Sequence, residues 1–301
     1  MGELLAVASA LCFGTTHFLS GLVSRHRHGV TVAACAQAGG TVVSLIPVLL
    51  TQGANAPPSA LVWGALSGLG TGVGVACLYW SMNQGPMSVV VPVSDVTAVG
   101  LPVLAGITLL GDRPSPPALT GIALGLPALW LVSRGEPSEP REPREPRGPR
   151  EPHEPRPGHG RGTNRSHPAV VLALIAGVGL ALHFFALARI PASAGWWPVV
   201  VSRAVSVAVI LALFPATGAS LRLPRRAAAM AAVAGALGTL ATILYLLATR
   251  QELLSVAVVL SALYPAVPVL LALTFLRERI TRPQAVGLLG AGLAIGLIAL
   301  N

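Results

Sequence analysis

Lysine is absent from this 301-residue chain, and charge of any kind is scarce. Acidic and basic side chains make up 10% of the residues, against about 25% in an ordinary soluble domain. Aromatic residues reach only 5%. A chain with so little polar surface cannot cover a water-facing globule. Without lysine there is no Gly-x4-Gly-Lys phosphate cradle, which excludes an ATP-driven motor within the chain. The three cysteines, Cys12, Cys35 and Cys77, lie in apolar stretches without metal-ligand spacing. They are expected to be small buried hydrophobes, so no metal and no cofactor is expected. The net charge of +9 and pI of 11.1 come from arginines scattered over loops and a linker rather than gathered in a stripe. No nucleic-acid partner follows from that pattern. No acid–base cluster at catalytic spacing is visible either, so an enzyme is not expected.

What the chain does contain is apolar sequence, 53% of it, with a mean hydropathy of +0.71. A membrane helix needs roughly 20 mostly apolar residues at 1.5 Å each. Ten runs qualify, at 3–22, 30–51, 59–81, 87–110, 116–133, 168–187, 195–214, 227–248, 253–276 and 284–300. Polar breaks separate them, such as Arg25 through Gly29 and Gly111-Asp112-Arg113-Pro114. The runs are continuous rather than alternating, which excludes a barrel. The basic cluster follows the first run instead of preceding it, so residues 3–22 read as a retained span rather than a signal peptide. The expected fold is an all-α membrane protein of ten transmembrane helices, multi-pass in the cell membrane with the lipid bilayer as its solvent.

Residues 134–167 differ from the rest. They carry tandem Glu-Pro-Arg units and almost no apolar side chain, with eight Arg and six Glu between 134 and 166. An extended, solvated tether is expected there. It divides the chain into 1–133 and 168–301, and these halves match at an offset of 166. That offset pairs His17-Phe18 with His183-Phe184, Gln37 with Arg203 and Tyr79 with Tyr245. It also pairs Arg113, Pro117 and Gly121 with Arg279, Pro283 and Gly287. Two copies of a five-span unit in one chain must cross the bilayer in opposite senses. Two inverted five-helix repeats are the plan of many secondary transporters, with a solute site between the repeats near the midplane.

Candidate site residues follow from polarity inside the spans, because each ionisable group costs at least ~2.5 kcal/mol at the bilayer centre and must face protein or water. Asp95 stands mid-span on one helix face with Ser88 and Pro102. It is the leading candidate to bind a cationic group or carry a proton, the alternative being a structural partner for Arg203 or a histidine. Arg203 can take a carboxylate or phosphate, or simply neutralise Asp95. His17 and His183 are symmetry mates suited to proton relay or to helix contacts. Tyr79, Tyr245 and Tyr264, with Ser94 and Ser261, are candidates to line a cavity. Helix kinks are expected at Pro92, Pro102, Pro265 and Pro268, pointing to a central space between the fourth and ninth spans. Gly64, Gly68 and Gly72, and the glycine pairs of the fifth and tenth spans, form ridges for close helix packing.

Several segments carry a family resemblance. They are Phe13-Gly14-Thr15-Thr16-His17-Phe18-Leu19, the stretch from Tyr79 through Gly85-Pro86-Met87-Ser88 to Pro92, and Gly111-Asp112-Arg113-Pro114. Gly195-Trp196-Trp197-Pro198 through Arg203, and Leu276-Arg277-Glu278-Arg279, complete the set. On these the chain resembles the EamA-type permeases of the drug/metabolite transporter superfamily. The resemblance implies ten helices in two inverted repeats and the export or exchange of small metabolites, amino acids or drugs. It departs from that family at His17, where an acidic residue is common, and at Asp95, where a small residue is usual. The expected partner is a small-molecule solute, with H+ as candidate co-ion and a homodimer as candidate assembly. An uncoupled facilitator, and a non-transporting scaffold working through its linker, are the alternatives. Arginines crowd the linker and the loops after the odd-numbered spans, leaving Arg113, Arg189 and Arg250 on the other side. The positive-inside rule predicts a cytoplasmic linker with both termini outside, whereas the resemblance implies cytoplasmic termini.

Overall fold

A backbone amide in hydrocarbon has no water to bond, so long apolar runs satisfy their N–H and C=O groups internally, as helices. The computed structural model describes residues 1–24, 27–51, 56–82, 87–133, 166–218, 220, 222–271, 274 and 281–298, and among them there is no strand. The first repeat contributes α1 (Gly2–Ser24), α2 (Gly29–Leu50), α3 (Pro58–Met82), α4 (Met87–Leu109) and α5 (Pro116–Ser133). The second contributes α6 (Ser166–Ala188), α7 (Trp197–Leu213), α8 (Arg225–Ala248), α9 (Leu254–Ala262), α10 (Ala266–Leu271) and α11 (Arg282–Ile298). Among the described residues nine stretches are long and apolar enough to cross a membrane, Leu254–Leu271 counting as one, and Arg282–Ile298 is a shorter apolar helix. The chain is a multi-pass membrane protein. The Glu-Pro-Arg linker, Pro86 and Arg277 through Arg279 lie outside the described residues.

Two expected spans differ in detail. The seventh begins at Trp197, after a short 3-10 turn at Ala192–Ala194 and Gly195, whose φ of 62° is open to glycine. The ninth is interrupted. Leu263, Tyr264 and Pro265 form a turn between α9 and α10, closed by Ala266 N–H to the Leu263 carbonyl and Val267 N–H to the Tyr264 carbonyl. Pro265 has no N–H to continue the ladder. Pro268 falls in the first turn of α10, where a missing N–H costs nothing. By contrast α4 stays helical through both Pro92 and Pro102.

The helix pairing maps onto itself when the repeats are exchanged. Helix α3 packs on α6 and α7, and α8 packs on α1 and α2. Helix α4 packs on α6, as α9 and α10 pack on α1, while α2 meets α7, α4 meets α9, and α5 meets α11. This pairing is consistent with a pseudo-two-fold axis between the halves and with the inverted sense that five spans per half require. Glycine makes the closest approaches possible. A Cβ on Gly68 would strike the Ser202 carbonyl oxygen, and one on Gly235 the Ala36 carbonyl oxygen. Ser202 and Ala36 are themselves symmetry mates. Outside the membrane, Gly111 turns the chain with φ 74° after α4. The carboxylate of Asp112 then accepts the Ser255 N–H at 2.9 Å, capping the start of α9 across the repeat boundary.

This packing sets an expectation for single methyl groups. Gly235→Ala pushes α2 from α8 and is expected to cost about 1–3 kcal/mol. Gly292, with open space where its Cβ would stand, takes alanine within about 0.5 kcal/mol. Thermal unfolding of the two variants in detergent checks this, and equal melting would contradict the packing.

Candidate functional site

Asp95 stands two turns into α4 and is 3% exposed. Its carboxylate accepts the Ser133 hydroxyl, from the last residue of α5, at 2.9 Å. It also accepts the Tyr264 hydroxyl at 2.9 Å. Tyr264 can reach it because the ninth span is broken there. The same tyrosine stacks its ring on His17 of α1, with centroids 4.6 Å apart and planes 18° from parallel. That approach is possible because Gly14, one turn before, has no Cβ to meet the Tyr264 carbonyl and Val267. The His17 side chain is exposed, and its Nδ1–H donates to the Phe13 carbonyl at 2.7 Å. One cluster thus joins α1, α4, α5 and the α9–α10 turn. Asp95 does not pair with Arg203 or with a histidine, so the expected alternative partner is replaced by two hydroxyls.

His183, 6% exposed, sits at a second centre between α6, α3 and α7. Its Nδ1 lies 2.7 Å from the Thr71 hydroxyl oxygen and 2.8 Å from that of Ser67. The Thr71 hydroxyl also lies 3.0 Å from the Ser67 carbonyl, so the imidazole nitrogen and the two hydroxyls form one hydrogen-bonded cluster. Ser67 continues to Ser202 at 3.0 Å. The next residue, Arg203, forms a third centre joining α7, α2 and α8. Its guanidinium donates to Gln37 Oε1 at 2.6 Å, to the Gly238 carbonyl at 2.5 Å and to the Thr242 hydroxyl at 2.5 Å. Aromatic edges connect the first two centres. Phe13 lies 6.2 Å from Tyr264 and 6.1 Å from Phe184, and Phe184 lies 5.3 Å from His183.

The remaining candidates are dispersed. Tyr245 is fully buried, donates to the Phe184 carbonyl at 3.0 Å and packs edge-on against that ring. Its mate Tyr79 packs instead over Gly29, beside Ile210 and Phe214. Ser94 bonds the Val91 carbonyl of its own helix, and Ser261 bonds the Ala6 carbonyl of α1. The Ser88 side chain lies outside the described residues. Sequence reasoning passed over Ser133, Ser67, Thr71, Thr242 and Gln37 as partners. The i, i+4 spacing of Ser67 and Thr71, which puts two hydroxyls on one face of α3, was the available signal.

A family model for the EamA-like transporter family matches residues 1–134 and again 167–300. One solved structure, described as "Crystal structure of protein", aligns with 99% of this chain and 97% of its own at a TM-score of 0.71 and 16% identity, a likeness of fold. No curated protein matches this chain.

Tyr264→Phe keeps the ring on His17 and removes one of the two donors to Asp95. A bond to a buried carboxylate is worth about 1.5–3 kcal/mol, so the variant should unfold at lower temperature by that measure. Tyr245→Phe, losing a bond to a neutral carbonyl, should cost about 1 kcal/mol. Identical melting of the two variants would show that the Asp95 contact carries no special weight.

Proposed function

The chain belongs to the EamA-like transporter family, and on that premise we propose that it is a secondary transporter. In this reading it moves a small metabolite, amino acid or drug-like solute by alternating access between its repeats, in the direction of efflux or exchange. It is a carrier rather than an enzyme, and the linker is a cytoplasmic tether. The observation that carries the reading is the Asp95 cluster. A buried carboxylate is held by Tyr264 at the one interruption in the described spans of the second repeat, and Tyr264 rests on the exposed ring of His17. Charge inside a membrane protein is expensive and marks function. Here the charge is bonded to the element least committed to one helical geometry. When a solute cation or a proton neutralises Asp95, the bond from Tyr264 loses the charge that strengthens it and the α9–α10 turn is freer to move against α1. H+ is therefore the natural co-ion, and Asp95 and His17 are the groups to exchange it.

Asp95→Asn keeps the shape and removes the charge. It should abolish solute movement in proteoliposomes while the protein still inserts. Undiminished transport would remove Asp95 from the mechanism. Deleting residues 136–160 should leave transport within about twofold, whereas a chain working through its linker would fail.

A further inference from the structure

We propose that Arg203 receives a carboxylate of the transported solute, an inference that rests on the transport reading above. Gln37 and Arg203 are 166 residues apart, the repeat offset, and bond each other directly at 2.6 Å. Two equivalent positions that touch must straddle the pseudo-two-fold axis. With inverted repeats that axis lies in the membrane plane, so this contact marks the midplane between the repeats, the place where such folds bind solutes.

The cation at that point is 7% exposed and among the described residues has no anion. Its three bonds go to an amide oxygen, a backbone carbonyl and a hydroxyl. Among the described residues no carboxylate pairs with it, and Asp95 is occupied by Ser133 and Tyr264. Tying α2, α7 and α8 together needs only hydrogen bonds, which a neutral amide supplies, as Gln37 does at the matching position. A full charge at the midplane costs at least ~2.5 kcal/mol more than a neutral amide, and among the described residues no opposite charge offsets it. The charge is explained if an anion arrives.

Beside the guanidinium the packing is looser than elsewhere on α8. Where a Cβ on Gly238 would stand, the nearest atoms are Thr16 at 3.5 and 3.6 Å and the Arg203 guanidinium at 3.9 Å. Three residues earlier on the same helix, Gly235 is jammed against the α2 backbone. At Gly238 the neighbours stand at ordinary van der Waals distance instead. The guanidinium fork matches a carboxylate, and the single positive charge matches a monoanion. A phosphate monoester would bring surplus negative charge that no lysine in this chain can meet, and His183 Nδ1 is already engaged by Thr71 and Ser67. The solute carboxylate displaces Gln37 Oε1 from the guanidinium on the side of Thr16 and Gly238.

The test uses the purified full chain with acetate, pyruvate, benzoate and phenylacetate, each beside its neutral carboxamide, and phenyl phosphate as the dianion. At least one carboxylate should raise the unfolding temperature where its carboxamide does not. Arg203→Gln and Gly238→Ala, the latter a methyl placed at ordinary contact distance, should each weaken that carboxylate about tenfold to a hundredfold. Solute-free Arg203→Gln should melt no lower than the parent, because glutamine keeps a donor for these neutral acceptors and the cost of burying the charge is removed. Lower melting of the solute-free variant would make Arg203 a structural cross-link and overturn the proposal. So would carboxylates no better than their carboxamides, or a response to phenyl phosphate alone. If the parent moves carboxamides in proteoliposomes and Arg203→Gln does so equally well, this inference falls and the transport reading stands. If the parent moves no solute at all, the transport reading itself has failed.

Discussion

In lipid, a polar group has no partner except another part of the protein, and the arrangement of this chain follows from that constraint. It makes the apolar runs helical. It also turns the isolated hydroxyls back on their own helices, as in Thr15 to the Leu11 carbonyl and Thr97 to the Val93 carbonyl. Other hydroxyls stitch one helix to the next, Ser9 reaching the Ala241 carbonyl and Thr16 the Ala234 carbonyl. Once those needs are met, three polar centres remain, around Asp95, His183 and Arg203. Each joins at least three elements, and each contains a group that ordinary packing does not require.

Symmetry explains where these centres lie, and its failure explains what they do. His17 and His183 occupy matching positions, yet one is exposed and stacked on Tyr264 while the other is buried among hydroxyls. Tyr245 ties α8 to α6 through a carbonyl, whereas Tyr79 covers Gly29. Gln37 and Arg203 bond across the axis as a neutral and a charged version of one position. The second repeat breaks a helix at Tyr264 where the first keeps α4 continuous. A duplicated frame supplies two equivalent packings, and the substitutions within it give the two halves different chemistry.

Much of this was legible in the residues. The spans followed from run length, and the duplication from non-apolar pairs that chance matching of leucines and valines does not produce. The glycine ridge of α3 pointed to a close contact, and that contact is with α7. The partners of the polar residues were not legible, because they depend on which helices are neighbours. Asp95 and Arg203 invited pairing as the two deep charges of opposite sign. The fold instead gives Asp95 to Ser133 and Tyr264, through a helix break whose position Pro265 suggested but whose consequence for the tyrosine hydroxyl no spacing encodes. Tyr245 was another such case. An aromatic within a span looks alike whether it lines a cavity or closes a packing contact.

The central proposal is alternating access past the Asp95–Tyr264–His17 cluster, which requires water to reach the His17–Tyr264 stack. A thiol placed there by His17→Cys, with Cys12, Cys35 and Cys77 replaced by alanine, reports on that route directly. Alkylation by a membrane-impermeant reagent should proceed from one face of sealed vesicles and slow when transported solute is added. A thiol unreactive from both faces, in protein that still folds, would contradict the account.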